Sequence, residues 1–128
     1  MNSFEALVKV IEKTRKECPW DKEQTVESLK KYMKEELEEV MKAIDSNNDK
    51  NLKEELGDLL WNVLLMIEVA KDEKKFNLSE ILDELKEKII RRHPHVFSNK
   101  KASTPEQALE HFYNAKKQET ILRDRKQG

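Results

Sequence analysis

The sequence predicts an all-α fold, a four- to five-helix bundle, and three observations lead there. Only two glycines occur, Gly57 and Gly128, which leaves almost nothing for β-turns. Alternating β-branched runs are absent, whereas apolar residues recur with helical spacing over long stretches. The prolines, Pro19, Pro94 and Pro105, stand in segments that lack that periodicity.

The elements follow in order. A first helix is expected from about Ser3 to Glu17, with Phe4, Leu7, Val8 and Ile11 inward. It ends before Pro19, because the residue preceding a proline is driven out of the helical region. The second runs from Val26 to Ile44 and the third from Leu52 to Ala70. Between them Asp45-Ser46-Asn47-Asn48-Asp49 is a short polar turn of the kind that joins antiparallel neighbours. The third segment is apolar almost all round, which predicts burial on every side. A fourth helix starts from an N-cap Ser79 and carries Ile81, Leu82, Leu85 and Ile89 to about Arg92. The last opens with Thr104-Pro105-Glu106-Gln107, a capping box with Pro at its first helical position, and frays near Arg123.

A chain of 128 residues predicts one domain, residues 1–128, with a single core. Its net charge of −1 supplies no field for nucleic acid, so none is expected as a partner. A lone cysteine, Cys18, rules out a disulfide framework and fits a reducing cytoplasm. The first residues lack the layout of a signal peptide. The most apolar run, Leu59 to Ala70, is too short for a bilayer and is broken by Asn62 and Glu68, so no membrane partner is expected.

Four carboxylates break the patterning. At about 100° per residue, Glu36 falls inside the apolar stripe of the second helix, between Leu29 and Tyr32, and Glu39 falls at its edge. Glu38 points the opposite way, and Glu35 lies outside the stripe near Glu39. On the third helix Glu55, Asp58 and Asn62 share one strip flanked by Leu59, Leu65, Met66 and Val69, while Glu54 faces away. Burying an unpartnered carboxylate costs several kcal/mol. Two acidic pairs at i, i+3 brought together by antiparallel packing repel one another, and an oxygen-binding hard cation relieves that. Mg²⁺ fits best, with Mn²⁺ as a substitute, because such ions are held by a few carboxylates plus waters and phosphate oxygens. In a chain with 26 acidic residues, the spacing alone says little. The placement on apolar faces carries the argument.

Lys88 and Arg92 flank the centre of the fourth helix's stripe. Beside an acidic, metal-loaded groove they suit phosphate oxygens, Arg by a bidentate fork and Lys as a point charge. Alone, the same pair would read as stems snorkelling over apolar surface. His93-Pro94-His95 is a weak zinc signal, since further ligands are missing, and is read as shaping a turn. Trp20 and Phe112 are each either core or a stacking surface for a base.

Three stretches resemble the MazG-type nucleoside triphosphate pyrophosphohydrolases of the all-α NTP pyrophosphatase superfamily. They are Cys18-Pro19-Trp20-Asp21-Lys22-Glu23-Gln24-Thr25, then Glu35-Glu36 and Glu39 with Glu55-Leu56-Gly57-Asp58-Leu59-Leu60, and Arg91-Arg92-His93-Pro94-His95-Val96-Phe97. The resemblance implies Glu36, Glu39, Glu55 and Asp58 as Mg²⁺ ligands and Lys88 and Arg92 as phosphate contacts. It places Trp20 as a base-stacker, and Phe112 stands where the family often carries a Trp. Asn62 joins these as a substrate contact.

The implied activity is Mg²⁺-dependent hydrolysis of a nucleoside triphosphate to monophosphate and pyrophosphate. Glu36 or Glu39 would orient or deprotonate the attacking water, and Lys88 and Arg92 would stabilise charge on the departing pyrophosphate. The alternatives are a narrower house-cleaning pyrophosphatase for modified or non-standard deoxynucleotides, and a non-catalytic helical regulator that binds nucleotide or a partner through the same groove. Leu60, Trp61 and Leu64, expected away from the acidic strip, suggest an apolar seam with a second copy. The family resemblance implies a homodimer or homotetramer.

Overall fold

The computed structural model describes residues 1–127, with side chains as far as residue 125. Every regular element among them is helical: α1 (Ser3–Glu17), α2 (Pro19–Glu23), α3 (Val26–Asp45), α4 (Asp49–Asp72), α5 (Leu78–Arg92), α6 (Pro94–Phe97) and α7 (Pro105–Gln127). None of these helices is long and apolar enough to cross a membrane. The chain falls into two compact units, one spanning Met1–Leu78 and the other from Ser79 onward.

Local chemistry explains the boundaries. Each proline occupies the first turn of a helix, where its missing N–H costs nothing, so the two aperiodic stretches around Pro19 and Pro94 become the short α2 and α6. The Asn2 side chain accepts from the Glu5 backbone N–H at 2.9 Å and opens α1. Thr25 and Ser28 form a reciprocal capping box at the start of α3. The polar turn is shorter than the sequence suggests. Asn47 adopts a left-handed φ of 52°, and Asn48 caps Asn51 at 3.1 Å, so α4 begins at Asp49 rather than near Leu52. Likewise α5 begins at Leu78, one residue before the expected cap Ser79. At α7 Thr104 caps the Gln107 N–H at 3.2 Å. The Gln107 side chain, however, accepts from the Ser103 N–H at 2.8 Å, so the box closes one residue early.

The core of the first unit is Ile11, Leu29, Leu64, Leu65 and Val69, with Val26, Tyr32, Met66, Ile67 and Leu78 packed around it. Burying each large apolar side chain contributes about 1.5–3 kcal/mol. Arg15 ties this unit together. Its Nε donates to Asp72 at 2.8 Å, and its Nη1 donates to the backbone carbonyls of Asp21 and Gln24. One side chain thus joins α1, the α2 segment and the C-terminal end of α4, which sets where Trp20 stands.

Several expected inward faces are exposed. On α1 only Ile11 is buried, while Phe4 and Leu7 are exposed. On α4 Leu56, Leu60, Trp61 and Val63 are exposed, so that helix is not covered all round. No residue of α5 is buried, although Leu82, Leu85 and Ile89 follow a clear stripe. The periodicity found the apolar faces correctly. Each unit by itself supplies too little partner surface to cover them.

Candidate metal and nucleotide site

The helical hairpin α3–α4 brings three carboxylates together. Glu36, Glu55 and Asp58 each offer an oxygen within 4.8 Å of the others, and all three are half-buried. Glu36 Oε1 is fully buried, with no hydrogen-bond donor among the described residues. Burial pushes the Glu36 carboxyl up from 4.5 to about 7, helped by a side-chain hydrogen bond with Glu55 and by the charges of Glu55, Asp58 and Glu39. A proton shared between Glu36 and Glu55 is one way to relieve this repulsion, and a divalent cation is another. An all-oxygen set with an orphaned, buried acceptor fits a hard cation, which needs several oxygens at short distance. Glu39, the fourth carboxylate expected there, does not join this group. It is exposed, its Oε1 lies 3.4 Å from Lys42 Nζ, and it reaches the same site from the rim.

A cleft of about 420 Å³ opens beside the acids, lined by Trp20, Tyr32, Glu35, Glu36, Glu39, Trp61, Asn62 and Leu65. Trp20 and Tyr32 meet edge to face, with centroids 5.3 Å apart and planes at 75°. Trp20 is held by its own carbonyl, which accepts from Gln24 Nε2 at 2.9 Å, while Gln24 in turn accepts from Ser28 Oγ at 2.8 Å. Asn62, which lines the cleft, donates its amide to the Asp58 carbonyl at 2.9 Å. A lining of carboxylates and aromatic rings suits a ligand that carries metal-bound phosphates and a flat ring.

Tyr32, Glu35 and Trp61 are lining residues that sequence reasoning did not assign to the site. By helical position Tyr32 belongs to the apolar stripe of α3, and Glu35 lies outside that stripe near Glu39. Trp61 was placed away from the acidic strip, on a seam with Leu60 and Leu64. The structure corrects this: Trp61 lines the cleft while remaining 50% exposed, and Leu64 is in the core at 6%. A helical wheel fixes where a Cβ points, but an indole sweeps far enough to reach an adjoining face. The available signal was the adjacency of Trp61 to Asn62.

Lys88, Arg92 and Phe112 belong to the second unit. Lys88 is exposed. Arg92 is mostly covered, with its guanidinium 5.4 Å from the centre of the Phe112 ring and its Nε 2.9 Å from Glu119 Oε2. Phe112 also meets His93 edge to face at 5.8 Å, and His95 stacks on His111 at 5.6 Å. The His-Pro-His segment is thus part of an aromatic cluster. Burial lowers the His95 imidazole, with His111 and His93 adding to it.

The model of the MazG nucleotide pyrophosphohydrolase domain matches residues 24–97, and the chain belongs to that family. Over 98 residues it is 47% identical to the nucleoside triphosphate pyrophosphohydrolase/pyrophosphatase MazG of Thermotoga maritima, covering 75% of this chain and 38% of that protein. Over 122 residues it is 35% identical to the nucleoside triphosphate pyrophosphohydrolase of Escherichia coli K12, covering 93% of this chain and 46% of that one. A crystal structure of a mazG-related protein from Thermotoga maritima superposes with a TM-score of 0.78 at 34% identity, covering 88% of this chain and 98% of that chain. The chain spans less than half the length of these two curated relatives.

Proposed function

We propose that this chain hydrolyses nucleoside triphosphates to the monophosphate and pyrophosphate with Mg²⁺ as cofactor, Mn²⁺ substituting. The observation that carries the reading is the convergence of Glu36, Glu55 and Asp58 within 4.8 Å, with a buried Glu36 oxygen that lacks a donor. Those three side chains would hold the ion, and Glu39 stands apart from them at the rim. When bound, Mg²⁺ neutralises phosphate charge and polarises the anhydride. Glu39, exposed on the rim, is then the carboxylate best placed to orient and deprotonate the attacking water, with Glu36 committed to the cation. Trp20, Tyr32 and Trp61 offer faces to the base, and Asn62 offers an amide oxygen to the sugar or base. Lys88 and Arg92 take phosphate contacts on the strength of the family motif, and Phe112 supports Arg92. The family match crosses the boundary between the two units at Leu78, which supports treating residues 1–128 as one functional domain. Cys18, a lone thiol, suits a cytoplasmic setting, and the near-neutral net charge argues against nucleic-acid or anionic-membrane partners.

The working form is a homodimer or a dimer of dimers. The support is a pair of exposed stripes at i, i+4 and i+7: Leu37, Met41 and Ile44 on α3, and Leu56, Leu60 and Val63 on α4. Light scattering should report a dimer or larger, and Leu60→Glu should shift it toward monomer. A well-folded, active monomer removes this part of the proposal.

The activity test is pyrophosphate release from a panel of triphosphates, with Mg²⁺ and with EDTA. Release from common triphosphates that stops with EDTA is expected. Release confined to modified deoxynucleotides would redirect the reading to a house-cleaning enzyme, and nucleotide binding without turnover would redirect it to a regulator.

A further inference from the structure

Arg92 is closely held for a cation on a helix with no buried residue. Its Nε donates to both oxygens of Glu119, at 3.1 and 2.9 Å, from 27 residues away along the chain. The Phe112 ring stands over its guanidinium carbon at 5.4 Å. Arg91 Nη2 donates to the same Glu119 at 2.7 Å. Two arginines share one carboxylate, so the group keeps a net positive charge rather than cancelling it.

The geometry points to Glu119 as a positioning residue for Arg92: it grips the guanidinium through Nε and leaves the two terminal nitrogens to fork onto a phosphate group of the substrate. This rests on the reading of Arg92 as a phosphate contact. The physical basis is the shape of the guanidinium, which can present its Nε edge and its terminal edge to different partners at once. Here the Nε edge is taken by Glu119, and among the described residues nothing accepts from the terminal edge. An arginine side chain otherwise has many rotamers, and fixing one in advance removes an ordering cost from ligand binding. Glu119 is itself well matched to the task. Burial pushes its carboxyl up, but the hydrogen bonds and charges of Arg92 and Arg91 outweigh that and hold it below its ordinary value.

A double-mutant cycle tests this, read as the Kd of a non-hydrolysable nucleoside triphosphate analogue by calorimetry, alongside KM and kcat. Glu119→Gln should weaken analogue binding roughly tenfold, as expected when one charge-assisted hydrogen bond to phosphate is broken or misaligned, with kcat changing less than KM. Arg92→Ala should weaken it at least as much, and adding Glu119→Gln to Arg92→Ala should do nothing further. Glu119→Asp keeps the charge and should retain part of the affinity, which covers the case in which the glutamine variant folds poorly. Tighter binding in Glu119→Gln would mean that Glu119 competes with phosphate, and that overturns the proposal. Additive losses in the double variant would show that Glu119 acts independently of Arg92, and that overturns the proposal as well. An Arg92→Ala protein with unchanged Kd removes the reading of Arg92 itself, and the role of Glu119 with it.

Discussion

The two charged clusters of this protein are opposites. In the first unit three carboxylates gather within 4.8 Å on α3 and α4, and one of their oxygens is buried without a donor. In the second unit two arginines gather on one carboxylate, and the hydrogen bonds between them run from 2.7 to 3.1 Å. The helices that carry the acids also supply most of a packed apolar core, through Leu29, Leu64, Leu65 and Val69. Around the arginines is a helix with no buried residue at all. The contrast has a physical meaning. Like charges are held together only where a rigid core forces them, and the strain is released by a ligand of opposite sign. Opposite charges need no such core, because they help to hold the elements that carry them. The first cluster is therefore incomplete by itself, and the second is internally balanced apart from one surplus positive charge.

The largest test of that contrast is catalytic. Glu36→Gln or Asp58→Asn should lower Mg²⁺-dependent turnover by roughly a hundredfold to a thousandfold, with the circular dichroism spectrum unchanged. Full activity in either variant would remove the acidic cluster from the mechanism.

Next in size is the core that forces the acids together. Leu65 is buried at 3% and also lines the cleft. Leu65→Ala should cost roughly 2–5 kcal/mol in urea denaturation. A loss under about 1 kcal/mol, well below the usual cavity cost, would show that the acids are not held by this packing.

The strain should show itself in pH dependence. With EDTA present, the folded protein holds the Glu36 proton up to about pH 7, whereas the unfolded chain releases it near 4.5. Between those values the native state binds more protons, so unfolding free energy should fall as pH rises through that window and level off above it. Glu36→Gln should flatten this slope and stabilise the metal-free protein by roughly 1–3 kcal/mol at about pH 8. A wild-type profile that rises across the window would contradict the assignment.

A smaller effect sharpens the question of what covers α4. A methyl group added at Gly57 meets nothing within 4 Å in the single chain. Helix propensity alone then predicts that Gly57→Ala gains about 1 kcal/mol. A loss instead would report close packing against a second copy. Smallest of all is Glu38→Gln, on the exposed side of α3. Stability and turnover should both stay near wild type, within about 0.5 kcal/mol, which makes it the control for charge removal in general.

The helices were readable because their signals are local. Apolar spacing and the stop imposed ahead of Pro19 act within a few residues, so α1 and α3 fall within a residue of expectation. The acidic pairs were readable for the same reason, since i, i+3 spacing puts two carboxylates on one helix face without reference to anything else. What the chain could not show locally was which groups meet across elements. Helix-to-helix packing decided that Glu36, Glu55 and Asp58 converge without Glu39, and that Trp61 lines the cleft. It also decided that Phe4, Leu7 and Leu85 are left uncovered, and that Glu119 meets Arg92. These outcomes depend on side-chain reach and on the surface that distant segments supply, and neither is written in the periodicity of any single helix.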